Sequence, residues 1–280
     1  MSLNLAMARF RIFIIALLVS WWTIQVTAKL PHYPDCGKRE NSAHIIKGED
    51  ASLNEFPWLA ALLCHDCDPD IKDPYGRWCG GTLITDRHVV TAAHCVTVKR
   101  TTIKMDSQKF LIRLGEYDFG DTNDKQFEDY GVQEIKIHEN YNIIRDSWHS
   151  DVAILLLNDT VTFTKGISPL CLPSETSGDH VGDPADVAGW GKTETGNVSD
   201  VIKRTTLYVV KNSDCKIRYP ELNESHLCAI SRLPRRSTCH GDSGGALVCA
   251  YRSYYELCGI VSFAKDCGSL TFPSVFTRDA

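Results

Sequence analysis

Residues 241–245 read Gly-Asp-Ser-Gly-Gly and place one serine between glycines. Glycine lets the backbone turn sharply, so the serine hydroxyl can stand exposed while neighbouring N–H groups point at one spot. A nucleophilic serine needs that exposure, and it needs donors for the oxyanion that forms on attack. The pattern also fits the elbow of another hydrolase fold, in which the acid and the histidine follow the serine. No histidine follows Ser243 here, so a base must lie upstream.

Two upstream segments offer a base and an acid. Residues 91–95, Thr-Ala-Ala-His-Cys, hold His94 among small side chains, and residues 150–155 open an apolar strand with Asp151. A carboxylate in such a strand is buried and needs a partner, which an imidazole N–H can provide. Alone, each residue is typical of a solvated histidine or a turn acid. The order His94, Asp151, Ser243, with these flanks, predicts nucleophilic catalysis.

The composition is that of a globular chain. It has 280 residues, of which 43% are apolar and 23% charged, and this mixture excludes a disordered tail, a coiled coil and a polytopic membrane protein. The formal net charge of −5 argues against nucleic-acid binding. Past residue 45, short β-branched runs separated by turn clusters predict an all-β sandwich or barrel. Helix is predicted only as a turn at residues 92–94 and a short piece capped by Asn212 or Ser213.

The N-terminus predicts the compartment. An apolar run after Arg9 and Arg11 is too short to span a bilayer, and residues 26–28, Val-Thr-Ala, resemble a signal peptidase site. Residues 1–28 are therefore predicted to be a signal peptide and the mature chain to be secreted, with a membrane anchor as the alternative. An oxidising compartment makes disulfides the expected state of the twelve cysteines. Three sequons, at Asn158, Asn197 and Asn223, are glycosylation candidates.

With these residues the chain resembles the chymotrypsin-like (trypsin family) secreted serine proteases. Further matching segments are residues 45–48 (Ile-Ile-Lys-Gly), 56–58 (Phe-Pro-Trp), 79–84 (Cys-Gly-Gly-Thr-Leu-Ile), 189–191 (Gly-Trp-Gly) and 259–263 (Gly-Ile-Val-Ser-Phe). The resemblance implies an all-β fold of two packed six-stranded antiparallel β-barrels with the catalytic cleft between them. It assigns 29–44 to a propeptide and 45–280 to the protease domain, which is C-terminally short and lacks the family's usual C-terminal helix.

The resemblance also implies site roles. His94 acts as base, Asp151 orients it, Ser243 attacks, and the N–H groups of Gly241 and Ser243 form the oxyanion hole. Ser262, Phe263 and Ala264 are expected to pair with the substrate backbone. The specificity pocket is expected to have Ser237 as its floor and Ala264 and Ser274 in its walls. Because the floor is not an acid, we expect no preference for Lys or Arg, and the narrowed walls favour small or medium apolar side chains.

Activation is expected to follow the family's zymogen scheme. A cut between His44 and Ile45 would free an N-terminus that pairs with Asp242 and orders the oxyanion loop. Histidine before the cut departs from the usual Arg or Lys, so an activator tolerant of histidine is expected. Cleavage at Arg39 would leave five extra residues and an amine unable to reach the pocket.

The cysteines divide into two groups. The resemblance implies the pairs Cys36–Cys171, Cys79–Cys95, Cys215–Cys228 and Cys239–Cys267, the first of which would tether the propeptide. The remaining four, Cys64, Cys67, Cys249 and Cys258, allow three pairings. We favour Cys249–Cys258 across a hairpin and Cys64–Cys67 as a loop staple over a metal or redox motif.

No cofactor and no metal is predicted. Six acids between Glu116 and Asp129 lie where some relatives bind calcium, but their spacing differs, so a solvated acidic loop is the favoured interpretation and calcium the alternative. Expected partners are a protein or peptide substrate, an activating protease and a protein inhibitor, with no nucleic acid, no membrane and a monomeric state. The leading function is a secreted serine endopeptidase. The alternative is a secreted protease-like protein that acts non-catalytically as a binding or regulatory partner.

Overall fold

Short apolar runs form the strands of a computed structural model that describes residues 35–39, 49–68, 73–121, 123, 126–145, 147–174, 176–193, 197–233, 238 and 241–278. Within these residues the strands are β1 Glu49–Asp50, β2 Leu59–Leu63, β3 Arg77–Leu83, β4 His88–Thr91, β5 Leu111–Leu114, β6 Glu128–Ile137, β7 Asn142–Ile144, β8 Ser147–His149, β9 Ala153–Leu157, β10 Pro184–Gly189, β11 Lys203–Val210, β12 His226–Ile230, β13 Ala246–Tyr251, β14 Tyr254–Phe263 and β15 Ser274–Thr277.

The first six-stranded barrel closes in the order β2-β3-β4-β9-β6-β5, with all pairings antiparallel. In β9, alternate residues are buried, because successive side chains of a strand point to opposite faces. Leu62, Leu83, Ile112 and Leu155 fill the interior and are fully buried. This alternation lets an apolar barrel interior coexist with a partly exposed outer face.

The second barrel contains β11-β10-β13-β14-β15-β12 and closes through the pairing of β11 with β12, while β1 adds to the outside of β11. Leu207, Leu247 and Phe276 are fully buried in its core. All its pairings are antiparallel. The prediction of two six-stranded antiparallel barrels is therefore confirmed.

Helix is sparse in the described part of the chain. A 3₁₀ turn spans Ala93–Val96, another spans Ser107–Lys109, and one α-helix, α1, spans Asn212–Cys215. The prediction that Asn212 or Ser213 caps α1 is wrong, since Lys211 occupies the N-cap and makes no side-chain cap. Asn212 instead donates from Nδ2 to the carbonyl of His226, 2.8 Å away, so its side chain is held elsewhere. Of the helices in these residues, none has the length and apolar character needed to cross a membrane.

Five disulfides join described cysteines: Cys36–Cys171, Cys64–Cys67, Cys79–Cys95, Cys215–Cys228 and Cys249–Cys258. The four cysteines left open by the sequence thus pair locally. Ala185 lies opposite Cys249 on the neighbouring strand, which leaves Cys249 to bond across the β13–β14 hairpin. Cys267 is also disulfide-bonded, but Cys239 lies outside the described residues.

Candidate active site

His94 and Asp151 meet at the end of the first barrel. The 3₁₀ turn that follows β4 carries His94, and the segment between β8 and β9 carries Asp151. His94 Nδ1 lies 2.7 Å from Asp151 Oδ2, and the His94 backbone N–H donates to Oδ1 over 2.9 Å. Asp151 is fully buried, whereas the His94 side chain keeps 16% exposure. The Asp151 carboxylate therefore holds the His94 imidazole at its Nδ1 edge, and part of the ring stays accessible to solvent.

The second barrel completes the surroundings of Asp151. Ser262 on β14 is buried and donates from Oγ to Asp151 Oδ2, and Thr277 on β15 donates from Oγ1 to the Asp151 carbonyl over 2.9 Å. Burial by itself would raise the pKa of the Asp151 carboxyl, but the charge of His94 and the hydrogen bonds from His94 and Ser262 outweigh it and lower that pKa. Asp151 is thus held as an anion without contact with solvent.

Ser243 sits in a backbone loop docked on the first barrel. Its carbonyl accepts from the Gly80 N–H over 2.7 Å, and the next residue, Gly244, donates to the Val261 carbonyl over 2.8 Å. Gly244 has φ +82°, and a Cβ there would lie 2.2 Å from Thr91 Oγ1. Only glycine fits such a close approach. The spacing of glycines in the sequence therefore serves the contact between the two barrels.

The Ser243 side chain makes no hydrogen bond to the other described residues. No hydrogen bond joins the side chains of Ser243 and His94, both of which lie in the described residues; such bonds often tighten only when substrate is present. Among those same residues, the N–H groups of Gly241 and Ser243 find no acceptor.

Trp148 on β8 covers one face of His94. The two rings stack with centroids 4.6 Å apart at 21°, and the indole edge meets Phe263 of β14 at 5.7 Å. Trp148 was not singled out from the sequence. It lies three residues before Asp151 in the sequence, but only the β7–β8 hairpin brings its indole against the imidazole.

The Asp242 carboxyl lies at the end of β10. Its Oδ1 accepts from the Gly191 N–H over 3.1 Å, and its carboxyl fills the space beside Gly189 and Gly191, where a Cβ would collide with it. Its expected partner Ile45 and the cut site after His44 lie outside the described residues.

Comparison with known proteins identifies the family. The trypsin family model matches residues 45–280. The chain belongs to the trypsin family. The protease is a serine endopeptidase, as the resemblance predicted.

Three relatives illustrate the match. CLIP domain-containing serine protease B4 of Anopheles gambiae is 33% identical over 90% of this chain and 71% of its own length. Phenoloxidase-activating factor 3 of Holotrichia diomphalia is 34% identical over 91% of this chain and 75% of its own length. A venom protease of Bombus pensylvanicus is 33% identical over 84% of this chain and 94% of its own length.

The expected specificity pocket of this trypsin-family protease is partly described. Ser237 lies outside the described residues, while Ala264 is half-buried at the end of β14. Ser274 is buried and accepts from Thr238 Oγ1 over 2.9 Å, and Thr238 is buried as well. Thr238 was not singled out from the sequence, because its role depends on a partner 36 residues away.

A buried arginine anchors the segment before the expected cut. The Arg39 guanidinium donates to Asp186 Oδ2 over 3.0 Å, and its side chain is only 5% exposed. It stacks on Tyr255, 3.9 Å from the ring centroid, and lies 4.0 Å from Glu55 Oε1. Together with the Cys36–Cys171 bridge, these contacts hold residues 35–39 on the second barrel.

The acidic loop of the protease uses its carboxylates locally. Glu116 and Asp129 both contact Arg113, at 3.2 and 2.8 Å, and Asp118 accepts from the Gly120 N–H over 2.8 Å. Asp121 accepts from the Asn123 N–H over 2.9 Å. Glu128 accepts from the Tyr130 hydroxyl, and Asp124 is outside the described residues. Within the described residues, Glu116 and Asp129 thus share Arg113, and Asp118, Asp121 and Glu128 each accept from a neighbouring N–H or hydroxyl.

The three sequon asparagines, Asn158, Asn197 and Asn223, are exposed on the surface. Asn223 Oδ1 accepts from Ser225 Oγ over 2.7 Å, and Ser225 Oγ in turn accepts from the Ser150 N–H over 3.1 Å. The Asn223 sequon therefore lies beside the segment that carries Asp151.

Proposed function

We propose that this protein is a secreted endopeptidase, made as a zymogen, whose catalytic residues are His94, Asp151 and Ser243. The observation that carries the proposal is the double hydrogen bond between His94 and the buried Asp151, at 2.7 and 2.9 Å. Membership of the trypsin family supports the same assignment. The expected chain organisation is a signal peptide at 1–28, a propeptide at 29–44 and a protease domain at 45–280.

In the proposed reaction His94 relays one proton in each of two steps, first from Ser243 to the leaving amine and then from water to Ser243. Ser243 Oγ attacks the scissile carbonyl carbon while His94 Nε2 takes the hydroxyl proton, and Asp151 stabilises the imidazolium. The resulting oxyanion accepts hydrogen bonds from the Gly241 and Ser243 amides. His94 then gives the proton to the leaving amine as the C–N bond breaks. In the second step, water gives a proton to His94 as it attacks the acyl-enzyme carbonyl carbon. His94 passes that proton to Ser243 Oγ as the ester bond breaks and the acid product leaves.

Activation is proposed to occur between His44 and Ile45. The freed Ile45 amine would pair with the Asp242 carboxylate, which already lies beside Gly189 and Gly191 at the end of β10. An ion pair there would hold the loop that presents the Gly241 and Ser243 amides. The propeptide would remain attached afterwards through Cys36–Cys171.

The pocket contacts support a preference for small or medium apolar side chains. Ser274, a proposed wall residue, is buried and accepts a hydrogen bond from the buried Thr238, so its hydroxymethyl group is held in place. With Ser237 as the proposed floor, no acid of the pocket would attract Lys or Arg. Shape discrimination of this kind is worth about 1–3 kcal/mol per methylene. Ser262, Phe263 and Ala264 would pair with the substrate backbone.

A protein substrate and a place in a proteolytic activation sequence are proposed from the relatives. One of them is named as a factor that activates phenoloxidase, which is a statement about that protein. By analogy, we propose that this protease cleaves another secreted protein and is itself cleaved by an activating protease. We also propose that the protease is a monomer and that a protein inhibitor controls it. Signal-peptide features of residues 9–28 support the extracellular location.

The test uses the full chain, with residues 40–44 replaced by the recognition sequence of a site-specific protease so that cleavage exposes Ile45. We expect hydrolysis of apolar peptide amides only after cleavage, with N-terminal sequencing giving Ile45. The Ser243→Ala variant, cleaved identically, is the control and should be inactive. A cleaved, folded protein that hydrolyses no peptide amide would contradict the proposal and favour the non-catalytic alternative.

A further inference from the structure

We propose that His226 is a positioning residue of this protease, which holds the backbone of Trp148, and thereby the indole that covers His94, against the second barrel. The inference rests on the proposed function. It is carried by a hydrogen bond between the β7–β8 hairpin and the second barrel that depends on a histidine side chain.

The contact of His226 with Trp148 is direct and buried. His226 opens β12, is fully buried, and its Nε2 lies 2.8 Å from the Trp148 carbonyl oxygen. Because a carbonyl can only accept, Nε2 must carry the proton. Nδ1 faces Asn223, 3.2 Å from its N and 2.9 Å from its Oδ1. Either protonation state of Nδ1 therefore has a partner, and the bond to Trp148 persists in both.

Burial favours the neutral ring. Desolvation lowers the pKa of His226, as does the charge of the neighbouring His149 on β8, whereas the Trp148 and Asn223 contacts and Asp151 oppose the shift. The facing residue on β14, Phe263, carries no charge. A neutral donor is thus built into the contact between the β7–β8 hairpin and the second barrel.

Two further hydrogen bonds flank Trp148 and end on the same segment. Ser147 Oγ donates to Glu221 Oε1 over 2.9 Å, and the Ser150 N–H donates to Ser225 Oγ over 3.1 Å. They tie residues 147–150 to residues 221–226 at both ends. The His226 bond lies between them and is made at Trp148 itself, so it decides the position of the residue whose indole stacks on His94.

The ring of His226 also packs against the other wall of the cleft. It meets Phe263 edge-on at 6.3 Å, and Phe263 meets the Trp148 indole at 5.7 Å. One buried side chain therefore touches both the backbone of Trp148 and the aromatic ring beside the proposed substrate strand. Loss of its donor would leave the Trp148 carbonyl unsatisfied and free the indole to move off the imidazole.

The experiment compares His226→Met with His226→Gln in the activated full chain. Met fills a similar volume without a donor, whereas the Gln amide can still donate to the Trp148 carbonyl. We expect His226→Met to lower kcat for a peptide amide by about tenfold, the effect of one lost hydrogen bond, with little change in KM. His226→Gln should stay within about threefold of wild type, since the donor is retained. Equal rates for both variants and wild type would overturn the inference.

A double-mutant cycle separates positioning from general stabilisation. In a Trp148→Ala background, His226→Met should have no further effect on kcat, because the side chain it positions is gone. Additive losses would overturn the inference. If His226→Met does not fold, His226→Asn takes its place, because the shorter Asn amide cannot reach the Trp148 carbonyl. The kcat of His226→Asn is then compared with that of His226→Gln.

Covalent labelling of wild-type Ser243 by a fluorophosphonate is measured in parallel. Absence of labelling in the wild type would count against the proposed function and thus also against the inference that rests on it. Labelled wild type with a fully active His226→Met variant would overturn the inference about His226 alone.

Discussion

His94 makes two hydrogen bonds to one carboxylate, its ring Nδ1 to Asp151 Oδ2 and its backbone N–H to Asp151 Oδ1. The pair fixes both the position of the residue and the rotation of the ring. With the Nδ1 proton held by Asp151, the Nε2 lone pair is directed toward the accessible side. This arrangement is what a general base for Ser243 requires.

Replacing the Asp151 carboxylate should therefore lower activity strongly while the protein still folds. Asp151→Asn keeps the size of the side chain but lets the amide donate, which favours the wrong imidazole tautomer. We expect kcat to fall by about 10⁴-fold, measured with a peptide amide on the activated protein. A loss smaller than tenfold would show that Asp151 does not orient the base.

Ser262 should matter through Asp151 as well as through the substrate strand. Ser262→Ala removes a buried hydroxyl that donates to the Asp151 carboxylate. Hydrogen bonds to charged groups are worth about 1.5–3 kcal/mol, so we expect the free energy of unfolding at pH 7 to fall by about that amount. Urea unfolding measures it, with Ser253→Ala in the exposed β13–β14 turn as control. Equal stability of the two variants would contradict this.

The pH dependence of stability follows from the lowered pKa of Asp151. Its ordinary value is 3.8, and in the folded protein it is lower. The stabilisation it provides is thus fully present above pH 3.8 and is lost as the pH falls through the folded-state pKa. The difference in unfolding free energy between wild type and Asp151→Asn should shrink as the pH falls below about 4. A difference that grows on acidification would have the wrong sign.

Arg39 should contribute strongly to the stability of the folded protein. Its side chain is buried against Asp186 and Tyr255. Arg39→Gln leaves Asp186 without its cation, and breaking such a pair costs about 3–5 kcal/mol. The control is Lys38→Gln, whose pair with Asp35 is exposed and is expected to contribute at most about 1 kcal/mol. Equal shifts of the urea midpoint in both variants would contradict the assigned role of Arg39.

The same burial predicts a proteolysis result. Trypsin must take the arginine side chain into its own pocket, so Arg39 has to leave its contacts before the bond after it can be cut. We expect limited trypsin digestion of the intact protein, followed by mass spectrometry, to leave that bond uncut while exposed sites are cleaved. Early cleavage after Arg39 would show that the segment is not held.

The Thr238–Ser274 contact predicts how specificity can be changed. Ser274→Gly removes a hydroxymethyl group from the proposed pocket and frees Thr238 from its partner. We expect kcat/KM for substrates with Phe or Tyr before the cut to rise by about tenfold or more relative to Ala or Val substrates. An unchanged ratio across a peptide panel would place Ser274 outside the pocket.

Much of the fold could be predicted because its information is local. The Gly-Asp-Ser-Gly-Gly loop, the flanks of His94 and Asp151, and the short β-branched runs specify a known family, and the two barrels follow from it. Local spacing also favoured the Cys249–Cys258 bridge, since a hairpin brings its two ends together. The N-cap of α1 was wrong because Asn212 is held by the His226 carbonyl, which is distant in the chain.

The missed parts of the site are the long-range ones. Trp148 reaches His94 only because β7 and β8 form a hairpin, and Ser262 reaches Asp151 only because the barrels pack together. Thr238 and His226 also act through partners on other strands. A sequence pattern indicates which residues are candidates for catalysis. It does not indicate which side chains from other strands contact and position those residues.

The most direct test of the central claim is covalent labelling of Ser243. The protein, cleaved to expose Ile45, is treated with a fluorophosphonate and the modified peptide is identified by mass spectrometry. We predict one adduct per chain, on Ser243, absent from Ser243→Ala and strongly reduced in His94→Ala. Folded, cleaved protein that carries no adduct on Ser243 would contradict a catalytic role for His94, Asp151 and Ser243.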